Sequence, residues 1–495
     1  MSQTVTVPSP RIAGAHPKLT HVLPVVDILT LISFFLFLAI AEWIADKTIR
    51  AGLIGQTVVG LIYGVPLGNI LGPDWQETFL ALGYIGLILI IFEGGLTIRL
   101  DLLRQNFLLS IGAALLGVLT PIALSFALLH VGFGYGALET FVVGTALSTT
   151  SLGTTFVVIK GASAEIDFSQ TRVGTVLVSA AILDDVCGLV LVSVIHELRA
   201  IAEEGGDLGW IIGRPILASG LLGLITPLVA KFGLGPLFRR FAEAQFARYG
   251  HIANMILMVL VLCAFLAIAA YAGASVLLGA FLAGTLISSL PTKQTDSSLV
   301  GEVDEERSDT PDFLITFDMY VGDAQRFILQ PLFFASIGFA IPFLSMWTGE
   351  MIWKGVVFSI LMVCGKLVVG LVIPSWDLID STTTSPSESG SRFRRGLAHS
   401  WAPPTLLGTA MVARGEIGLL IIQIGLNETP FLSQKAFMVG VWAILLNTII
   451  GPVSVGILLK RVGNKIADDV RWGTQSRSTG SPTDMSLQAV APPSR

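Results

Sequence analysis

Long apolar runs separated by short polar connections occupy most of the chain. A sliding reading of hydropathy predicts helices over 25–44, 53–70, 79–97, 107–130, 137–158 and 173–196, then 211–232, then 251–271, 273–290, 327–345, 352–374, 404–426 and 435–459. A run of about eighteen apolar residues spans roughly 30 Å of hydrocarbon as a helix. The strict alternation of polar and apolar residues that a membrane β-barrel needs is absent. The expected fold is therefore an all-α polytopic membrane protein with about 13 transmembrane helices. They divide as a first group over 25–196, a linker helix at 211–232, and a second group over 251–460. The two groups echo each other: Gly144-Thr145-Ala146-Leu147 precedes Ala181-Ile182-Leu183-Asp184-Asp185 at nearly the spacing by which Gly408-Thr409-Ala410-Met411 precedes Ala443-Ile444-Leu445-Leu446-Asn447. Six helices, one linker and six more predict two inverted repeats.

The polar intervals complete the organisation. Residues 1–24 form a polar segment without the charged-then-apolar order of a cleaved leader. Residues 291–325 and 376–402 read as polar inner loops, and 461–495 as a disordered cytoplasmic tail. With the N-terminus outside, 22 of the 30 lysines and arginines fall on the side of the C-terminus, which places that end in the cytoplasm. Composition agrees, since 53% hydrophobic and 13% charged residues are too apolar a mixture for one soluble core. The net charge of −5 adds little, and no basic patch for nucleic acid stands out. Cys187, Cys263 and Cys364 lie in apolar segments and read as buried small side chains without a disulfide framework. The six histidines are far apart in sequence, so neither a metal enzyme nor a cofactor is expected.

Charges inside the apolar runs carry the chemistry. Asp184 and Asp185 stand mid-helix in AILDDVCGLVLV, where each costs about 2.5 to 3.5 kcal/mol to insert. Successive helical residues diverge by about 100°, so one acid can bind a neighbour while the other faces a cavity. An acid in such a cavity can give up its proton when a metal ion competes for its oxygens. Lys366, mid-helix in LMVCGKLVVGLV, is the expected partner in a buried ion pair. Over 145–155, Thr145, Ser148, Thr149, Thr150, Ser151, Gly153, Thr154 and Thr155 suggest a helix that unwinds to expose hydroxyl and carbonyl oxygens to a hard cation. Val412 to Gly418 is a matching interruption, in which Arg414 and Glu416 form either a structural salt bridge or a gating pair. Glu42 and Glu93 end their helices and read as structural, and the small residues around Gly279 and Gly284 read as a close-packing surface.

With IGQTVVGLIYGVPLGNILGP, FEGGLTIRLD, GTALSTTSLGTTFVVI, AAILDDVCGLVLV, GASVLLGAFLAG, PLFFASIGFAI, CGKLVVG and ARGEIGLLI, the chain resembles the monovalent cation/proton antiporter superfamily on its paired-aspartate branch. The resemblance covers about residues 25–460. It implies two inverted six-helix units, a homodimer, and a moving core crossed by two broken helices. It makes Asp185 the ion-binding carboxylate, Asp184 the acid paired with Lys366, and Thr145 to Thr150 part of the first broken helix. Ser148 and Thr149 then join Asp184 and Asp185 around a transported Na+ rather than a fixed metal. Asn447, where an inverted echo of Asp185 falls, becomes a helper of the crossing. In this branch the arrangement accompanies electrogenic exchange of more than one proton per Na+. The two long polar loops depart from compact bacterial members, and the membrane of residence, plasma or organellar, stays open.

The expected activity is exchange of Na+ or Li+ for H+ across a lipid bilayer by alternating access, with K+/H+ exchange at the same residues as the alternative. A cation channel would need no titratable pair with its own lysine. An intramembrane aspartyl protease needs its acids on separate helices, and here they adjoin.

Overall fold

The computed structural model describes residues 24–98, 106–151, 171–204, 208–238, 250–290, 312–382, 401–467, 469 and 472–473. Their regular elements are helices, with no β-strand among the described residues. The first half contains α1 (Val25–Ile49), α2 (Gly52–Tyr63), α3 (Pro73–Leu96), α4 (Phe107–Ser125, prolonged by the π-helical Phe126–Gly132), α5 (Ala137–Ala146) and α6 (Arg172–Glu204). After α7 (Leu208–Leu228) come α8 (His251–Ala272), α9 (Val276–Ser288), α10 (Phe313–Phe317), α11 (Gln330–Ala340) and the short α12 (Phe343–Met346). The chain ends in α13 (Gly349–Leu367), α14 (Val372–Thr382), α15 (Ala402–Ala410), α16 (Glu416–Glu428) and α17 (Gln434–Ala467).

Eight of the described helical segments are long and apolar enough to cross a membrane, which makes this an integral multi-pass membrane protein. Shorter helices occupy the other predicted crossings. At 12 residues, α2 rises about 18 Å, well under a full bilayer core. The crossing predicted over 137–158 leaves the helix after Ala146, and residues 152–158 lie outside the described set. The one predicted over 404–426 divides into α15 and α16.

Two groups of helices have separate buried cores. Around α1, α2, α3, α9 and α11, backbones meet directly. A Cβ on Gly60 would sit 2.0 Å from the Ala335 carbonyl oxygen, and one on Gly284 would sit 2.2 Å from that of Phe92, so only glycine permits the α2–α11 and α3–α9 approaches. Around α4, α6, α13, α15 and α17, side chains such as Leu109, Val176, Val369, Leu406 and Val455 fill the core, and backbones also meet closely, since a Cβ on Gly370 would lie 2.2 Å from the Pro404 carbonyl oxygen. The start of α5 is tied to the start of α17 by Glu139, whose carboxylate accepts from the Gly136 N–H at 3.0 Å, the Ser433 N–H at 3.0 Å and the Ser433 hydroxyl.

Several polar intervals are more ordered than hydropathy predicts. The expected loop over 291–325 is helical from Phe313, where Asp312 caps the helix by accepting from the Leu314 N–H at 3.3 Å. Asp318, Asp323, Gln325 and Arg326 dilute the apolar average there, but the helix continues through π-helical turns at Asp318–Gly322 and Gln325–Leu329 into α11. The loop over 376–402 likewise begins as helix through Thr382, and residues 383–400 lie outside the described set, as do 1–23 and 291–311. The tail reading of 461–495 is corrected for its first part. α17 runs through Ala467, and Trp472 is 1% exposed. Leu459, Val462, Gly463, Ile466 and Ala467 recur at helical spacing and are buried, a stripe that the flanking charges Lys460, Arg461 and Lys465 obscure. Cys263 and Cys364 are exposed on the outer surface of the bundle rather than buried, and Cys187 is intermediate.

Candidate functional site

Both interruptions lie against each other. At the first, the Ser148 hydroxyl donates to the Thr145 carbonyl at 2.8 Å and the Thr149 hydroxyl to the Ala146 carbonyl at 3.3 Å. These side chains satisfy carbonyls that the ending helix would otherwise leave open. At the second, Met411 to Gly415 separates α15 from α16. The Ser151 N–H donates to the Ala413 carbonyl at 2.9 Å and joins the two breaks. Glycine is required at this crossing: a Cβ on Gly415 would lie 2.5 Å from the Ser151 hydroxyl oxygen, and one on Gly418 would lie 2.6 Å from the Ala146 carbonyl oxygen.

Arg414 holds the crossing from within. Its side chain is fully buried, and Nη1 donates to the Thr149 carbonyl at 3.0 Å and the Met411 carbonyl at 3.2 Å. The guanidinium thus meets the carbonyl ends of both interruptions, where the partial negative charge of the helix dipoles collects. Nε and Nη2 have no hydrogen-bond partner. Arg414 does not pair with Glu416, which is half-buried at the start of α16.

α6 brings the aspartates to this crossing. Asp184 is fully buried, and its Oδ2 accepts from Lys366 Nζ at 2.9 Å and from the Thr150 hydroxyl at 2.5 Å. Lys366, itself fully buried on α13, also donates to Thr150 Oγ1 at 3.0 Å. α6, α13 and the first interruption therefore close a triangle around one carboxylate oxygen, an arrangement that offsets the cost of burying both charges. Asp184 Oδ1 has no partner.

Asp185 points elsewhere. The residue is half-buried, and its Oδ1 is shielded and has no hydrogen-bond partner. Glu416, Asp184 and Lys366 are the charges that act on it. Thr149 also packs on α6, one turn beyond the aspartates: a Cβ on Gly188 would lie 2.5 Å from its methyl group. Thr145 is fully buried with its hydroxyl unpartnered.

Of the residues singled out by sequence, the structure gathers Asp184, Thr150 and Lys366 in direct contact and puts Thr149 and Arg414 at the adjoining crossing. Asn447 makes no hydrogen bond to Asp185. Its Oδ1 accepts from the Ser359 hydroxyl at 2.9 Å, while Nδ2 is buried without a partner. Ser359 was missed by sequence reasoning, although it lies seven residues before Lys366 and hence on the same face of α13. Gly153, Thr154 and Thr155 lie outside the described residues.

Comparisons with known proteins agree with this architecture. The chain is 25% identical over 417 residues to the Na(+)/H(+) antiporter of Enterococcus hirae, covering 83% of this chain and 92% of that protein. It is equally 25% identical over 417 residues to the Na(+)/H(+)-K(+) antiporter GerN of Bacillus cereus, covering 82% and 90%. Its fold is similar to that of the sodium proton antiporter MjNhaP1 from Methanocaldococcus jannaschii, with a TM-score of 0.55 at 17% identity, covering 89% of this chain and 97% of the other. Residues 31–461 match the family described as sodium/hydrogen exchanger, transmembrane, and on that match the chain belongs to this family of membrane transporters.

Proposed function

We propose that this protein is a secondary antiporter in which Na+ (or Li+) and H+ compete for Asp185 and cross the membrane in opposite directions. The observation that carries the reading is the contrast within the aspartate pair: Asp184 is held through Oδ2 by Lys366 and Thr150, while Asp185 has no ion pair among the described residues and a shielded Oδ1 without a partner. A carboxylate in that position needs a proton or a cation to be stable away from bulk water. Among the described residues, Lys366 and Arg414 act on Asp184, Lys366 also acts on Asp185, and Glu416 adds a third acidic group beside Asp185. With every group ionised, one negative charge is in excess, and a bound monovalent cation or a proton neutralises it. Thr145 Oγ1 and Asp184 Oδ1 are likewise buried without partners, and such oxygens suit a hard cation.

On this reading thirteen crossings form two inverted six-helix units with a linker, the N-terminus lies outside, and two copies associate through the first group of helices. Both interruptions, α6 and α13 then move together and carry Asp185 from one side to the other in an elevator-type cycle. K+/H+ exchange at the same residues is the second reading, favoured by similarity to a protein named as a Na(+)/H(+)-K(+) antiporter.

Purified protein in vesicles loaded with a pH indicator provides the test. Addition of Na+ or Li+ is expected to drive a saturable pH change, and Asp185→Asn is expected to reduce it at least about a hundredfold, the scale of removing a group on which the transported species depends. A saturable response to K+ alone would support the second reading. Undiminished exchange in Asp185→Asn would remove Asp185 from the ion path.

A further inference from the structure

The segment that follows α17 returns to the end of α6 that lies farthest from Glu204. Asp469 shapes the turn by accepting from the Trp472 N–H at 3.0 Å through its side chain and from the Gly473 N–H at 2.8 Å through its carbonyl. The carbonyls of Gly473 and Trp472 then accept from the N–H groups of Arg172 at 3.1 Å and Val173 at 3.2 Å. Thr171 supplies the next partner, its hydroxyl oxygen accepting from the Gly174 N–H at 3.0 Å. The first N–H groups of a helix have no partner within it, and here a distant stretch of chain satisfies two of them.

The indole of Trp472 adds a second set of ties. It is buried among Val173, Leu177, Ile373 and Ile466, donates from Nε1 to the Asp377 carboxylate at 3.2 Å, and lies 4.7 Å from the Arg172 guanidinium. The same guanidinium donates from Nε to Asn106 Oδ1 at 3.4 Å, just before α4 begins. Asp377 stands on α14, which continues α13 through the 3-10 turn Val368–Leu371. One side chain thus bridges the helix of Asp184 and the helical extension of Lys366, about 18 Å along α6 from the aspartate.

We infer that Trp472 is a positioning residue for the transport reaction: together with the Gly473 carbonyl it sets the register of α6 against α13, so that Asp184 and Lys366 meet. The inference rests on the antiport reading, but a physical measurement decides it separately. In full-length protein, Trp472→Ala removes the indole that docks the turn, so the two capping carbonyls are expected to be held less firmly. Amide hydrogen exchange is then expected to speed about tenfold at Arg172 and Val173, with the acceleration extending along α6 toward Asp184. In vesicles matched for folded protein, its apparent KM for Na+ is expected to rise at least about threefold, because a shifted aspartate binds less well. Trp472→Phe, which keeps the ring contacts and folds more readily, loses only the bond to Asp377 and should fall between parent and Trp472→Ala in both measurements. Acceleration confined to Arg172 and Val173 with an unchanged KM would reduce Trp472 to a local cap and overturn the inference. Unaltered amide exchange in both variants would overturn it as well. Should the parent itself exchange no cation, the antiport reading fails, and the spread of amide exchange toward Asp184 alone decides whether Trp472 sets the register.

Discussion

At its midpoint α6 presents two unlike environments to the same kind of side chain. Toward α13 and the first interruption, Asp184 is closed in by Lys366 and Thr150, with no exposed surface on either charged partner. Toward α16, Asp185 is half-buried near Glu416, and its Oδ1 has no partner. The two residues are separated by one peptide bond and about 100° of helical rotation. That rotation divides two tasks that conflict in a single carboxylate. A carboxylate tied to a buried countercharge serves the fold first and has only its second oxygen left for a transported ion, whereas one without a countercharge is open to a proton or a cation.

The contrast is broken most severely by removing the lysine. Lys366→Ala leaves Asp184 buried against the crossing without its countercharge, and the expected cost is about 3 to 5 kcal/mol, read as a large fall in the thermal unfolding midpoint in detergent. Asp184→Asn combined with Lys366→Met replaces the pair by neutral groups of similar size and should recover much of that loss. Asp185→Asn has no partner to strand, so its midpoint should stay at or above the parental value even as exchange is lost. Equal destabilisation by Asp184→Asn and Asp185→Asn would erase the distinction between the two environments.

A finer comparison lies within the first interruption. Thr150 donates to Asp184 and accepts from Lys366, whereas its neighbour Thr149 bonds only back to the Ala146 carbonyl through its side chain. Valine preserves the shape of threonine and removes the hydroxyl. Thr150→Val is expected to cost about 1.5 to 3 kcal/mol, the range for hydrogen bonds to charged groups, and Thr149→Val about 1 kcal/mol or less. The same unfolding measurement ranks them. A larger effect at Thr149 would mean that the bond closing the broken helix matters more to the fold than the closed triangle does.

Much of this was legible without coordinates, for physical reasons that also mark the limits. Helices such as α1 and α8 announce themselves because lipid tolerates few polar residues over their whole length. Asp184, Asp185 and Lys366 stand out for the same reason, since a charge in hydrocarbon needs a countercharge or a use. The run of hydroxyl residues before Ser151 signalled an interruption because such side chains compete for helical carbonyls, as Ser148 and Thr149 do. What stayed hidden depends on meetings between distant segments. Nothing near Trp472 in sequence indicates that Arg172 and Asp377 enclose it, and hydropathy averaging turned the buried stripe ending at Ala467 into a tail. The destination of Arg414 was equally hidden, because the carbonyls of Thr149 and Met411 become acceptors only once the interruptions cross.

The smallest expected effect concerns the residue that echoes Asp185 in the second half of the chain. Asn447 has one side-chain contact, from the Ser359 hydroxyl to its Oδ1, and an unpartnered Nδ2. Ser359 lies two helical turns before Lys366 on α13, so this contact joins α17 to the helix that closes off Asp184. Ser359→Ala removes one neutral hydrogen bond and leaves a buried oxygen unmet, at an expected cost of about 1 kcal/mol. If Asn447 only braces α17 against α13, the unfolding midpoint should fall by a few degrees while the apparent KM for Na+ stays at its parental value. A rise in KM of about tenfold without loss of stability would instead bring the Asn447 amide into the ion path and give the open side of the site a member from each half of the chain.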